Sequence, residues 1–285
     1  MKKGPVREAF GITLLFAVLL LSLAGCREPV IIRAADKTEV KAPELLEEIK
    51  EADFVFVGEV HTRKLHHKAQ LELIKGLKGS GTDVVIGVEM FLSDNQEVLD
   101  RWVAGEIDEK EFKAAFKKNW TVPWGQYEDI FIFARENKVP LVGLNISRKI
   151  MYQVLTKGFE SLTPEQLAEL PPGIECSVDK VYEKFIKEAF GGHEVKGMTF
   201  QSFCEAQMVW DNGMAHNAIE YMEKNPGKKM VVLAGGGHSW KRGIPAQVER
   251  LSAYKSVVLM PDSESMDIEK VGPEDADYII TGRLF

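Results

Sequence analysis

An α/β fold is predicted for this 285-residue chain, with a mainly parallel open sheet flanked by helices. Short β-branched runs recur along the sequence, helical patterns alternate with them, and most of the runs lack polar alternation. Strands buried on both faces of a parallel sheet read this way, and strand alternating with helix gives βαβ units. The runs fall at residues 54–57, 84–88, 140–144, 230–234 and 257–260, with a weaker one at 278–281. Helical spacing is seen at 43–51, 65–77, 126–137, 148–157 and 244–252. Alternation stops between the third and fourth runs, where Thr163-Pro164 starts a helix and 178–190 and 200–224 repeat apolar residues at helical spacing. Helical insertions at about 95–118 and 147–224 are expected to form a cap over the strand C-terminal edge. The domain is expected to run from 43 to 285, after a charged, unpatterned tether at 26–42.

Composition is that of a globular protein, 45% hydrophobic and 28% charged. It excludes disorder, collagen-like repeats and a disulfide-dense mini-protein. A net charge of -7 excludes a basic nucleic-acid footprint, so no nucleic-acid partner is expected. Residues 1–25 read as a signal peptide. Lys2, Lys3 and Arg7 precede an apolar run from Phe10 to Leu23, shorter than the roughly 20 residues of a spanning helix. Leu23-Ala24-Gly25-Cys26 resembles a bacterial lipobox, which implies cleavage before Cys26 and lipidation of that residue. Several acyl chains hold a protein firmly to a membrane where one does not. Arg27 follows the cysteine, so the expected address is the cell envelope, at the outer membrane. Cys176 and Cys204 remain, as a disulfide or as two separate thiols.

The chemistry gathers at the strand ends. The first run leads into Gly58-Glu59-Val60-His61, the second ends in Glu89, the third in Asn145 with Arg148 just after it, and the fourth in Gly235-Gly236-Gly237-His238. Ligands of open parallel sheets bind outside the carboxyl ends of the strands. Two histidines and a carboxylate, Glu89 or Glu59, match the donor set of a divalent metal site with open positions. His61, Glu89 and His238 are the expected metal ligands. Glu59 would serve as a catalytic base and Arg148 as an anion clamp if the chain is a hydrolase. The glycine run lacks the Lys-Ser/Thr of a phosphate loop, and no serine elbow or His-Glu-x-x-His is present.

Phe56-Val57-Gly58-Glu59-Val60-His61, Gly87-Val88-Glu89-Met90-Phe91, Trp124-Gly125-Gln126-Tyr127, Val209-Trp210-Asp211-Asn212-Gly213-Met214-Ala215 and Ala234-Gly235-Gly236-Gly237-His238 resemble the ChaN-like haem-binding uptake lipoproteins. The resemblance spans about residues 45–260. That family is similar to Tiki metalloproteases, TraB proteins and erythromycin esterases. The resemblance implies haem binding in iron acquisition, a homodimer and an outer-membrane haem or iron transporter as partner. The Tiki relatives imply instead a metal-dependent hydrolase built on the paired Gly-x-x-His motifs. Haem needs an axial ligand, an apolar slot and cations for its propionates. His66, His67 and Tyr127 are the leading candidates to bind it, with His193, His216, Tyr152, Tyr182 and Tyr221 behind them. The stripe Met208, Trp210, Met214, Tyr221 and Met222 reads as core or as haem slot. Trp120 and Trp124 either line a cap pocket or anchor their loop.

Cys26→Ala is expected to leave the precursor unprocessed and without acyl label. Metabolic labelling with a radioactive fatty acid and membrane fractionation check this, and labelling equal to that of the wild type would refute the lipid anchor.

Overall fold

The computed structural model describes residues 28–172, 174, 180–190, 197–263 and 268–282. Cys26, Cys176, His193 and the expected signal peptide lie outside them. One sheet contains β1 (Val30–Arg33), β2 (Glu39–Val40), β3 (Phe54–Glu59), β4 (Val84–Leu92), β5 (Leu141–Asn145), β6 (Lys229–Gly235), β7 (Ser256–Pro261) and β8 (Tyr278–Thr281). Their order is β2-β1-β8-β7-β3-β6-β4-β5. The strands from β3 to β8 pair in parallel, and every expected run is one of them. β1 pairs antiparallel with β2 and with β8. This hairpin lies in the stretch expected to be a tether. Its apolar core, Val30-Ile31-Ile32, is only three residues long and is surrounded by charge, so its pairing partner β8 decides its conformation.

The helices are α1 (Ala42–Glu48), α2 (Lys64–Gly79), α3 (Gln96–Ala104), α4 (Glu109–Asn119), α5 (Glu128–Glu136), α6 (Arg148–Lys157), α7 (Pro164–Ala168), α8 (Lys180–Phe190), α9 (Phe200–Lys224), α10 (Gly236–Ser239) and α11 (Ile244–Leu251). No helix among the described residues is long and apolar enough to cross a membrane. Successive side chains of a strand alternate between faces. Val55 and Val57 of β3 therefore join one core with α1 to α5, and Phe54 and Phe56 join another with α9 and α11. The first core holds an aromatic cluster of Phe91, Trp102, Phe112, Phe116, Trp124 and Phe131, with Trp102 and Phe112 stacked at 4.3 Å between centroids. Trp124 thus anchors its loop.

The long helix α9 lies on a face of the sheet rather than only over its end. Met208, Met214 and Met222 are buried against Phe54, Phe56 and Val232, so three residues of the stripe are core. Its first half also packs with α6 around Ile150, Val154, Ala206 and Val209, the small core of the cap. Gly213 permits the close approach of α9 to the end of β5, since a Cβ there would stand 2.5 Å from Ile146 Cγ2.

β3 and β6 are adjacent central strands, and their last residues, Glu59 and Gly235, are paired in register. The two Gly-x-x-His turns therefore leave the sheet side by side. The β4–β5 register shifts between Val88 and Leu92, an irregularity that re-aims side chains where Glu89 leaves the ladder.

Candidate functional site

Glu59 is only 2% exposed at the end of β3. A buried carboxylate is costly unless hydrogen-bonded, and three donors converge on this one. His61 Nδ1 lies 2.8 Å from Oε1, Gln70 Nε2 donates to Oε2 at 2.8 Å, and the Tyr127 hydroxyl donates to Oε1 in a short contact. His67 Nε2 stands 3.4 Å from Oε2, an electrostatic contact not aligned as a hydrogen bond. Burial opposes the Glu59 charge, but His61 and His67 together hold its carboxyl far below the usual range. The same surroundings raise the Tyr127 hydroxyl, through burial first and then the Glu59 charge. Burial would lower His61, yet its bond to Glu59 and the nearby charge of Glu89 raise it.

A second pair sits across the β3–β6 junction. His238 Nδ1 lies 2.7 Å from Asp211 Oδ1 of α9, and its Nε2 faces Glu89 Oε1 at 3.9 Å. Burial opposes its charge, but Asp211 and then Glu89 raise it to about 9. Glu89 Oε2 accepts the Gly235 N–H at 2.6 Å. A Cβ on Gly235 would lie 3.0 Å from His61 Cε1 and 3.7 Å from Glu89 Oε2, so both residues crowd the same backbone. His61, Glu89 and His238 thus converge. They form two His–carboxylate pairs on either side of Glu89, each imidazole with its Nδ1 committed. No group of three or more His, Cys, Asp or Glu among the described residues is arranged to hold a metal ion. The Nδ1 atoms face Glu59 and Asp211, and the Nε2 atom of each imidazole has no hydrogen bond to a carboxylate among the described residues. Trp120 and Trp210 set ring edges against His61 and His238, with centroids 5.1 and 5.8 Å apart.

The leading haem candidates are interior groups. His66 is fully buried, and its Nδ1 accepts the Val60 N–H at 2.9 Å. The proton is therefore on Nε2, which donates to Asp262 Oδ1 at 3.0 Å. Both ring nitrogens are spent, which removes His66 as an iron ligand. Tyr127 is buried and spent on Glu59, and the His67 ring lies tilted against it with centroids 4.4 Å apart. His61 is the accessible imidazole of this cluster, its side chain 36% exposed. Arg148 donates to the carbonyls of Lys118 and Asn119. It closes the end of α4 and has no guanidinium contact with the cluster. Of the remaining tyrosines, Tyr152 is exposed on α6 and Tyr221 is part-buried against the α9 core.

Residues 45–248 match the family described as haem-binding uptake, Tiki superfamily, ChaN. The chain belongs to this family. A solved structure described as cofacial haem binding to ChaN of Campylobacter jejuni superposes with a TM-score of 0.68 at 21% identity, covering 90% of this chain and 97% of that one. The type III effector HopBA1 superposes with a TM-score of 0.50 at 14% identity over 84% of this chain and 91% of its own. Protein RETICULATA-RELATED 5, chloroplastic, of Arabidopsis thaliana is 24% identical over 254 residues. This chain spans about a third of that relative's length, since the match covers 34% of it. The two structural likenesses show the fold of the family's sheet and helices.

Asp262, just beyond β7, secures the loop that carries His61. It accepts from His66, from Thr281 Oγ1 at 2.8 Å and from Arg63 NH1 at 2.6 Å. Burial opposes its charge, but the bonds from His66 and Thr281 and the Arg63 charge hold its carboxyl below the usual value. Such a group stabilises the fold fully above the unfolded-state pKa, about 3.9, and loses that contribution as pH falls through the lower folded value. Asp262→Asn is expected to lower the melting temperature at neutral pH, with the difference from wild type shrinking below about pH 3. Thermal scans across pH check this, and a pH-independent difference would contradict it.

Proposed function

We propose that the chain is a haem-binding protein of the bacterial cell envelope, anchored through lipidated Cys26 and active in haem or iron uptake. One observation carries the haem site. His61 presents an accessible imidazole whose Nδ1 is fixed by the buried Glu59 carboxylate. Histidines that ligate metals are oriented in this way by a carboxylate on the other ring nitrogen. Nε2 of His61 would hold the iron, Trp120 would offer an apolar edge, and the iron chemistry would be that of the bound haem. Glu59, Gln70 and Tyr127 would act by fixing the ring. Family membership supports the reading, as does the cofacial haem of the C. jejuni relative. A homodimer and an outer-membrane transporter are the partners it implies. Haemin added to the protein is expected to give a saturable Soret shift. His61→Ala should abolish the shift and Gly235→Ala should weaken it about tenfold by crowding the ring. An unaltered titration in His61→Ala would refute this assignment.

A second reading, hydrolysis, is favoured by the paired dyads. His61–Glu59 and His238–Asp211 flank Glu89 as two carboxylate-backed imidazoles, the arrangement of a general base and a general acid. Under this reading the chain turns over simple esters and Glu89→Gln lowers the rate at least about a hundredfold. Equal rates for wild type, Glu89→Gln and buffer would exclude it.

A further inference from the structure

A groove of about 830 Å³ runs along the outer side of α2 and α5 and meets the strand-end cluster at His67. Pockets that bury small ligands span roughly 300–1,000 Å³ and combine apolar walls with a few convergent polar groups. Its walls are Leu65 and Leu71 of α2 and Ile130 and Phe133 of α5. Each helix runs from the strand carboxyl edge back across the sheet, so the two lie parallel and the groove is elongated. The stretch of α2 from Lys64 to Lys75 is ~17 Å long at 1.5 Å per residue.

The end at the strand carboxyl edge is polar and unfinished. α2 starts without a side-chain cap and without an acidic residue in its first turn. Orphan N–H groups and the helix dipole make such an end attractive to an anion. Arg63, whose NH1 also holds Asp262, and Lys64 line the groove there, facing Asp129 of α5. An independent observation points to a ligand. His67, only 3% exposed, lines the groove with its Nδ1 buried and lacking any hydrogen-bond partner among the described residues. Buried polar atoms left unpaired are uncommon and costly.

We propose that this groove is a second ligand site that takes an amphipathic carboxylate with a linear apolar body, such as a fatty acid. The carboxylate meets the start of α2 with Arg63, Lys64 and His67, and the chain lies along Leu65, Leu71 and Phe133. An elongated groove between parallel helices suits a linear body better than a broad macrocycle. The proposal does not depend on the haem reading.

The test uses the chain from Glu28 onward, which contains every element described. Laurate, titrated by calorimetry below its micellar concentration, is expected to bind saturably and to raise the melting temperature. Dodecanol, which lacks the charge, should bind about tenfold more weakly. Leu71→Asp, on a part-buried wall position, should weaken laurate about tenfold or more while leaving the haemin titration as in the wild type. Phe133→Ala is a second variant in case Leu71→Asp fails to fold, and by removing part of the apolar wall it should weaken laurate about tenfold with haemin unchanged. Absence of saturable laurate binding overturns the proposal, as does equal binding by the variants. Joint loss of laurate and haemin in a folded variant also overturns it, because the groove would then be the haem slot. Saturable laurate binding with no haemin response in any form would sustain this site and sink the haem reading alone.

Discussion

The carboxylate of Glu59 is the constraint around which the site is arranged. It sits at the end of a central strand, out of reach of water, and it is ionised. A charge there persists only if several donors meet it at once. They come from separate parts of the chain: His61 from the turn after β3, Gln70 from α2, and Tyr127 from the residue before α5. The docking of both helices on this face is therefore tied to one charged atom group as well as to the aromatic core behind it. His61 is oriented because Glu59 must be satisfied.

Gly235 lets the two Gly-x-x-His turns meet. Glu59 and Gly235 pair at the ends of adjacent strands, and each turn must bring a histidine back over that junction. A side chain on Gly235 would push into His61. Its N–H also holds Glu89, which places a third element, β4, at the same point. The site is thus a meeting of backbones as much as of side chains, and glycine is the residue that permits it.

Much of this was legible in the sequence, since parallel buried strands announce themselves by unbroken apolar runs and their carboxyl ends share an edge. The convergence of His61, Glu89 and His238 follows from that topology. What escaped detection depends on rotation and on long-range partners. His66 and His67 are neighbours, but a helix turns ~100° per residue, so one ring reaches Asp262 and the other Glu59. Asp211 lies in mid-helix, 27 residues before the histidine it supports, and nothing local marks it as a partner. Arg148 bonds to backbone carbonyls, which have no sequence signature. The β1–β2 hairpin owes its strands to β8, near the other end of the chain.

The bonds of Asp262 set an order of assembly. The turn bearing His61 is held by His66, His66 by Asp262, and Asp262 by Thr281 at the end of β8. A turn that follows β3 is therefore fixed by residues synthesised long after it. During synthesis, a nascent chain can have β3, α2 and both dyads' histidines outside while the loop between β3 and α2 still lacks its brace. A fixed His61 is in this way reserved for a chain in which β8 has closed onto the sheet, a form of quality control written into the connectivity.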